Sequence, residues 1–405
     1  MISVEEARDR IVAGLAPLPG ETVALEHAAW RVLAEAALAR VTQPPADLSA
    51  MDGYAIRFAD VSAVPTTLRV VGEAPAGRAF AGVVGPGEDV RIFTGGPVPA
   101  GADTIVIQEN TSSGNGLVSI LEMPQQGRHI RRSGLDFTAG QPVLRRGAVL
   151  TPRRVALLAG MNLPRISAHR RPKNGLLATG SELVAPRTDP GPSQIVASSG
   201  HGLAAMVERW GGEPVSLGLV PDDVGAIAAA IRGAQEGCDL LVTLGGASVG
   251  DHDLVQAALA AAGGRLDFWK IAMRPGKPLM FGHLGPMPLL GLPGNPVSAL
   301  VCALLFVRAA VMRLAGHADV ALHPTPALAG HSLPGNDQRQ DHLRATIARD
   351  ASGNLLASAF EVQDSSMLSL LARADALILR RPHAPAVAAG GPVEVILLEE
   401  LGPGF

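Results

Sequence analysis

The run from Cys238 to Asp253, CDLLVTLGGASVGDHD, limits the fold more than any other stretch of this 405-residue chain. Leu240, Leu241, Val242, Thr243 and Leu244 make a short apolar run of the kind that forms a parallel strand buried on both faces. The surrounding sequence supplies the crossovers such a strand needs. After a basic linker, His169 to Lys173, strand-like and helix-like segments alternate. They are GLLATG, a helix from about Ser199 to Trp210, PVSLGLV, a helix from Asp222 to Gln235, the strand above, and a helix from Asp253 to Ala262. LDFWKIAMRPGKPLMFG, the strand PLLGLPGN and a long helix opened by Asn295 or Pro296 complete the series. Alternation of this sort predicts a parallel sheet with helices on both faces. Ligands of such sheets bind where the strands deliver their carboxyl ends.

The second half of the opening run carries chemistry. Gly245, Gly246 and Gly250, interleaved with Ser248, remove side chains and permit positive φ, so backbone amides can cradle an anion at the start of the next helix. Asp251, His252 and Asp253 follow at once. Two carboxylates beside an anion loop repel a phosphate unless a divalent cation sits between them, which points to phosphate plus magnesium.

Three further loops fall at strand ends: Thr179-Gly180-Ser181-Glu182, Pro221-Asp222-Asp223, and GLPGNP from Gly291 to Pro296. Each alone reads as a tight strand-to-helix turn, because glycine, proline and capping Asp or Asn are what such turns require. All four at one sheet edge favour a ligand site. In Met273-Arg274-Pro275-Gly276-Lys277-Pro278, Lys270, Arg274 and Lys277 set three cations on one short segment that can neutralise an anionic ligand. The bland alternative is a solvated basic loop, which the flanking Ile271, Ala272, Leu279 and Met280 disfavour.

Elsewhere the chain reads as helical to about Leu38, with Ser3 as a cap and a second helical run from Ala28 to Ala39. Short strands and glycine turns from Thr67 to Leu121 suggest a β-rich domain, preceded by a strand at Tyr54-Ala55-Ile56. Pro152 opens another helix, and strand-like segments from Pro324 onward suggest a separate all-β domain. At ~150 residues per domain, the length implies about two to four units. A formal charge of -3 with scattered arginines excludes the basic footprint of a nucleic-acid binder. Cys238 and Cys302, the two cysteines, lie at apolar runs and read as reduced core residues, in keeping with a cytoplasmic location. The start, MISVEEARDRIV, lacks the basic and apolar regions of a secretion signal. The run Val297 to Leu314, interrupted by Arg308 and Arg313, is expected to fall short of a membrane span. No Walker loop is present.

Seven segments in order resemble the MoeA and gephyrin E-domain family, the molybdopterin molybdenumtransferases of molybdenum-cofactor biosynthesis. They are MDGYA at Met51, FTGGPVPAGAD at Phe93, RRSGLDF at Arg131, TGSEL at Thr179, GGASVGDHD at Gly245, RPGKP at Arg274 and GLPGNPVSA at Gly291. The resemblance implies a multidomain α/β and β fold. Its parts are a discontinuous mixed N-terminal domain (1–46 and 139–172), a β-rich domain (47–138), a central doubly wound α/β domain of the molybdopterin-binding type (173–316) and a C-terminal all-β, barrel-like domain (317–405). It also implies a homodimer with an inter-subunit active site. The implied reaction takes adenylylated molybdopterin and molybdate, requires Mg2+, releases AMP and forms molybdenum cofactor. Other implied partners are the molybdopterin adenylyltransferase and the enzymes that receive the cofactor.

Position by position, Asp52, Thr94, Asp136, Glu182, Asp222, Asp253, Lys270 and Arg274 match functional positions of that family, as do Pro293, Pro296, Arg344 and Ser365. Glu182, Asp222 and Asp253 become the candidates for magnesium. Lys270, Arg274 and Lys277 become those for phosphates or molybdate, and Asp52 with Thr94 for positioning the substrate. Gly180, Ser181, Gly245, Gly246, Ser248, Gly250 and Asn295 complete the expected substrate-binding set. The chain departs from the pattern at QIVASSGHGL, where Ala197 and Ser199 replace the usual polar pair, and at Arg274, where some members carry lysine. Two other readings stay open. An adenylyltransferase is one, although it would resemble only the α/β part and leave Met51 to Asp136 without a role; a non-catalytic scaffold, which the two departures permit, is the other.

Overall fold

A computed structural model of the chain describes residues 1–247 and 254–398. Two compact units emerge: one comprises Met1–Glu35, Arg146–Pro152 and Ser167–Phe405, the other Ala36–Arg145 and Arg153–Ile166. The chain begins with α1 (Val4–Ala13), where the Ser3 hydroxyl accepts the Glu6 amide at 3.0 Å and Ala7 and Ile11 are buried.

The helix expected over Ala28–Ala39 is absent. Trp30 takes a left-handed φ of 66°, which no helix accommodates, and its amide donates to the Leu150 carbonyl at 2.8 Å. Val32 bridges Val149, Leu33 bridges Ala168, and the Arg31 guanidinium donates to the His169 carbonyl at 2.8 Å. Long-range pairing therefore overrides the local helical pattern.

The smaller unit carries a six-stranded sheet. Its strands are β1 (Gly53–Ile56), β2 (Thr66–Ala74), β3 (Glu88–Ile92), β4 (Thr104–Ile107), β5 (Thr111–Gly114) and β6 (Leu117–Ile120), in the order β4-β1-β3-β2-β6-β5. The same unit contains most of helix α2 (Pro152–Gly160). On β3 the Asp89 carboxyl is fully buried and finds no hydrogen-bond partner among the described residues. Burial lifts its pKa to about 7. The unfolded chain ionises near 3.8, so the folded state binds the extra proton between those values. Stability is thus fully present below about pH 4 and is lost as pH rises through 7. Asp89→Asn is expected to flatten that dependence and to gain about 1–2 kcal/mol at pH 8, because an unpartnered amide costs less than an unpartnered charge. Urea unfolding at pH 5 and pH 8 measures it; an unaltered pH slope in the variant would refute it.

In the larger unit, the strands β7 (Lys173–Thr179), β8 (Glu213–Val220), β9 (Leu240–Ala247), β10 (Arg265–Trp269), β12 (Met280–Leu284) and β13 (Met287–Pro293) form one sheet, ordered β8-β7-β9-β13-β12-β10. A short strand β11 (Met273–Arg274) intervenes in the chain and pairs elsewhere. Apolar alternation sends Leu240, Val242 and Leu244 into one core and Leu241 into the other, as a strand buried on both faces requires. Residues of α1, α3 (Ser199–Arg209), α6 (Pro296–Cys302) and α7 (Arg308–Leu314) fill the first core. Residues of α4 (Val224–Ala234) and α5 (Leu254–Ala261) fill the second. The sheet is doubly wound as expected, with one difference: β12 runs antiparallel to both its neighbours, β10 and β13. Only Gly285 and Pro286 join β12 to β13, too short a link for a parallel crossover.

The helical stretch Pro296–Leu314 has 19 residues and is apolar enough to cross a membrane, contrary to the expectation that it falls short. It is 78% buried inside the protein, so its apolarity serves the core. Arg308 Nη1 donates to the Val320 carbonyl at 3.0 Å and Arg313 Nε to the Leu15 carbonyl at 3.2 Å, while the buried Arg308 Nε finds no partner among the described residues. Cys302 is buried and free within it.

The tail folds as the anticipated barrel. β14 (Thr325–Ala329), β15 (Gln340–Arg349), β16 (Leu355–Ala359), β17 (Ala376–Arg380) and β18 (Pro392–Leu397) close in the order β15-β16-β14-β18-β17 and back to β15. The segment before β17 contains α8 (Leu368–Ala372). β11 hydrogen-bonds to β15 in parallel, Met273 opposite Gln340 and Arg274 opposite Asp341, so the cationic segment forms part of the barrel's own sheet.

Candidate active site

The carboxyl ends of β7, β8, β9 and β13 open on a cleft of about 1120 Å³. Thr179, Gly180 and Glu182 enter it after β7, Asp222 after β8, Gly245 and Gly246 at the end of β9, and Pro293, Asn295 and Pro296 after β13. Lys277 reaches it from the cationic segment, and Ser366 and Leu368 from the barrel's side. Ile195, Val196, Ala197 and Ser199, all short or apolar, line the same cleft.

The loops are tied to one another. The Ser181 amide donates to Asp222 Oδ2 at 3.1 Å, and the Asp222 amide donates to Ser181 Oγ at 3.0 Å. Its neighbour Asp223 caps α4 by accepting the Ala226 amide at 2.7 Å, which leaves Asp222 to serve the cleft. Gly245 has φ +91°, and a Cβ there would lie 2.4 Å from the Thr179 carbonyl oxygen. Gly246 has φ +66°, with a Cβ falling 2.6 Å from Val255 Cγ2. Both glycines are therefore required where β9 turns.

Asn295 sits at the cap position of α6, yet its side chain does not cap the helix. Nδ2 instead donates to Ser365 Oγ at 3.0 Å, while the Val297 amide donates to the Ser365 carbonyl at 3.2 Å. Ser365 thus fastens the GLPGNP loop to the barrel-side loop. Arg344, buried, braces that same loop: Nε donates to Gln363 Oε1 at 3.3 Å and Nη1 to the Met367 carbonyl at 3.2 Å.

A second cavity of about 350 Å³ is lined by Arg274, Lys277, Ser298, Arg339, Gln363, Asp364 and Ser365, among others. Lys277 lines both cavities. The Arg274 guanidinium meets Asp341 with two bonds, Nε–Oδ1 2.9 Å and Nη2–Oδ2 2.6 Å, and Asp337 lies 3.7 Å away. Asp341 and Asp337 hold its pKa above the usual arginine value. Lys270 adopts a left-handed φ of 73° and sets its ammonium 3.6 Å from the Trp269 ring centroid; it is not among the residues lining either cavity.

In the smaller unit, Asp52 Oδ1 accepts both the amide (2.7 Å) and the hydroxyl (2.8 Å) of Thr94. Those two bonds hold the carboxyl below its ordinary range. Asp136 is exposed, its amide bonded to the Gln43 carbonyl at 3.0 Å. Ser248, Gly250 and Asp253 lie outside the described residues. Among the described residues no group of three or more His, Cys, Asp or Glu is placed to hold a metal. Glu182 and Asp222 nonetheless share the cleft, and two carboxylates with ligand phosphates are what a magnesium ion accepts. Two features escaped the sequence reading. Asp341 answers Arg274 from 67 residues away, and Ile195 and Val196 hide in a two-residue strand with no pattern to mark it.

Fold and cleft define a class, a multidomain protein whose doubly wound α/β domain opens a glycine-walled cleft beside cations and carboxylates. Three family descriptions match in succession: the MoeA N-terminal region (domain I and II) over 2–161, a probable molybdopterin binding domain over 175–313, and the MoeA C-terminal region (domain IV) over 326–398. The chain is 34% identical over 399 residues to the molybdopterin molybdenumtransferase of Haemophilus influenzae, covering 98% of each. It is 35% identical over 404 residues to molybdopterin molybdenumtransferase 2 of Mycobacterium tuberculosis, covering 98% of this chain and 99% of that one. The solved structure of the molybdopterin biosynthesis MoeA protein from Pyrococcus horikoshii superposes with a TM-score of 0.84 at 28% identity, covering 100% of both chains. The chain belongs to the MoeA family of molybdopterin molybdenumtransferases.

Proposed function

We propose that this protein inserts molybdenum from molybdate into adenylylated molybdopterin, releasing AMP, in the cytoplasm. The observation that carries the reading is the convergence of Glu182, Asp222 and Lys277 on one cleft whose β9 wall is bare backbone at Gly245 and Gly246. A phosphoanhydride substrate needs a cation against its charge and backbone close enough to touch it. Lys277 supplies the first and the two glycines permit the second. Glu182 and Asp222, with Asp253, would hold Mg2+, which polarises the bond to be cleaved. The second cavity, with Lys277, Arg339 and Ser365 at its wall, suits a tetrahedral oxyanion such as molybdate.

The four-domain division set out from the sequence belongs to this proposal, as does a homodimer in which Asp52, Thr94 and Asp136 of one subunit complete the cleft of the other. Purified protein given adenylylated molybdopterin, magnesium and molybdate is expected to release AMP; no release at any molybdate concentration would sink the reading. ATP-dependent adenylyl transfer would instead favour the adenylyltransferase.

One observation favours a scaffold as second reading: Ala197 and Ser199 wall the cleft with short side chains. The shared site separates them. Asp52→Ala and Asp222→Ala are each expected to be inactive, and an equimolar mixture allowed to exchange subunits to recover roughly a quarter of wild-type activity, since half the dimers then carry one intact site of two. A mixture as inactive as its components would count against a shared site.

A further inference from the structure

The arginine of the cationic segment is not placed as a free cation. Asp341 meets it fork to fork at 2.9 and 2.6 Å, and Asp341 is itself buried, 6% exposed, in the barrel strand β15. A two-point arginine–carboxylate pair fixes orientation as well as distance. The pair sits at the place where β11 joins β15, so it locks the segment onto the barrel.

Between Arg274 and Lys277 lie only Pro275 and Gly276, and Gly276 is itself confined. Its φ is +104°, and a Cβ there would lie 2.3 Å from Cys302 Sγ on α6. On the far side the Lys277 carbonyl accepts the Ile271 amide at 3.0 Å and the Leu279 amide at 3.2 Å. The backbone that bears Lys277 is therefore held at both ends, and the grip on Arg274 is the end that depends on the barrel.

We propose that Asp341 is a positioning residue for the reaction: through its two-point hold on Arg274 it seats the segment Met273–Pro278 and so sets where Lys277 presents its ammonium to the two cavities. The inference rests on the reading of those cavities as sites for an anionic substrate. Asp341 touches no substrate; it acts through its partner.

D341N keeps the shape of the side chain but removes the charge and one acceptor. Calorimetric titration with AMP and with molybdate is expected to show binding weakened about tenfold, and KM to rise alike while kcat changes less than about twofold. R274K keeps the positive charge and loses the fork; because Arg274 itself lines the second cavity, the Lys277 side-chain resonance and not binding is what R274K must move to carry the test should D341N fail to fold. Because Asp341 works through Lys277, D341N added to K277A should weaken binding no further. The carbon-13 methyl resonance of reductively methylated Lys277 should also shift in D341N, with no turnover required. An unmoved resonance, or a further tenfold loss in the K277A background, would overturn the proposal. A moved resonance in a protein that binds neither AMP nor molybdate would uphold the positioning and overturn the function assigned to the site.

Discussion

Asp222→Ala is expected to lower the rate of AMP release at least ~10²-fold while leaving the protein folded. The side chain does two things at once. Its carboxylate faces the cleft, and it exchanges bonds of 3.1 and 3.0 Å with Ser181 that pin the loop after β7 to the loop after β8. Asp222→Asn separates the two. An amide oxygen can still accept the Ser181 N–H, so the staple survives and only the charge is lost. If charge is what the reaction needs, Asn should be as poor as Ala; an Asn variant with near wild-type turnover would move the role of Asp222 from chemistry to loop geometry. Circular dichroism on both variants checks that the fold is intact.

Gly245→Ala is expected to destabilise the larger unit by about 2–4 kcal/mol and to abolish activity. Two costs add at that position. The backbone is left-handed at φ +91°, and the new methyl would lie 2.4 Å from the Thr179 carbonyl oxygen, which is main chain and cannot step aside cheaply. Gly211→Ala is the control, because Gly211 has nearly the same φ, +87°, with nothing within 4 Å of a Cβ. It should cost only the conformational part, about 1–2 kcal/mol. Denaturant unfolding of the two variants side by side gives the contact cost by difference, and equal losses would show that strain alone sets the requirement for glycine.

The elements that could be read in advance were those whose pattern is local. An apolar run bounded by glycines is a buried strand whatever surrounds it, and Leu240 to Leu244 behave accordingly. Pro296 after Asn295 opens a helix for reasons contained in a few residues. Ala28–Ala39 misled because its hydrogen bonds go to residues more than a hundred positions away, and no propensity encodes a partner at that distance. Within the site, glycines and acids at strand ends were legible because turns and anion loops have short signatures. Asp341, the partner that decides what Arg274 does, was not, and Ser365 was named only as a site residue and not as the partner of Asn295, since the two arrive 67 and 70 residues after the groups they hold.

Helix α1 packs in the same core as Phe306 and Leu314, and residue 2 bridges residue 271. During synthesis that core, which also takes in Leu377 and Ile396, is not complete until the chain has passed residue 396, on the order of 20–80 s after α1 leaves the ribosome. The sheet over 53–120, whose strands pair only among themselves, has no such wait. The first residues made are thus among the last to be buried, and the apolar face of α1, Val4, Ala7 and Ile11, is what a chaperone would find in the meantime.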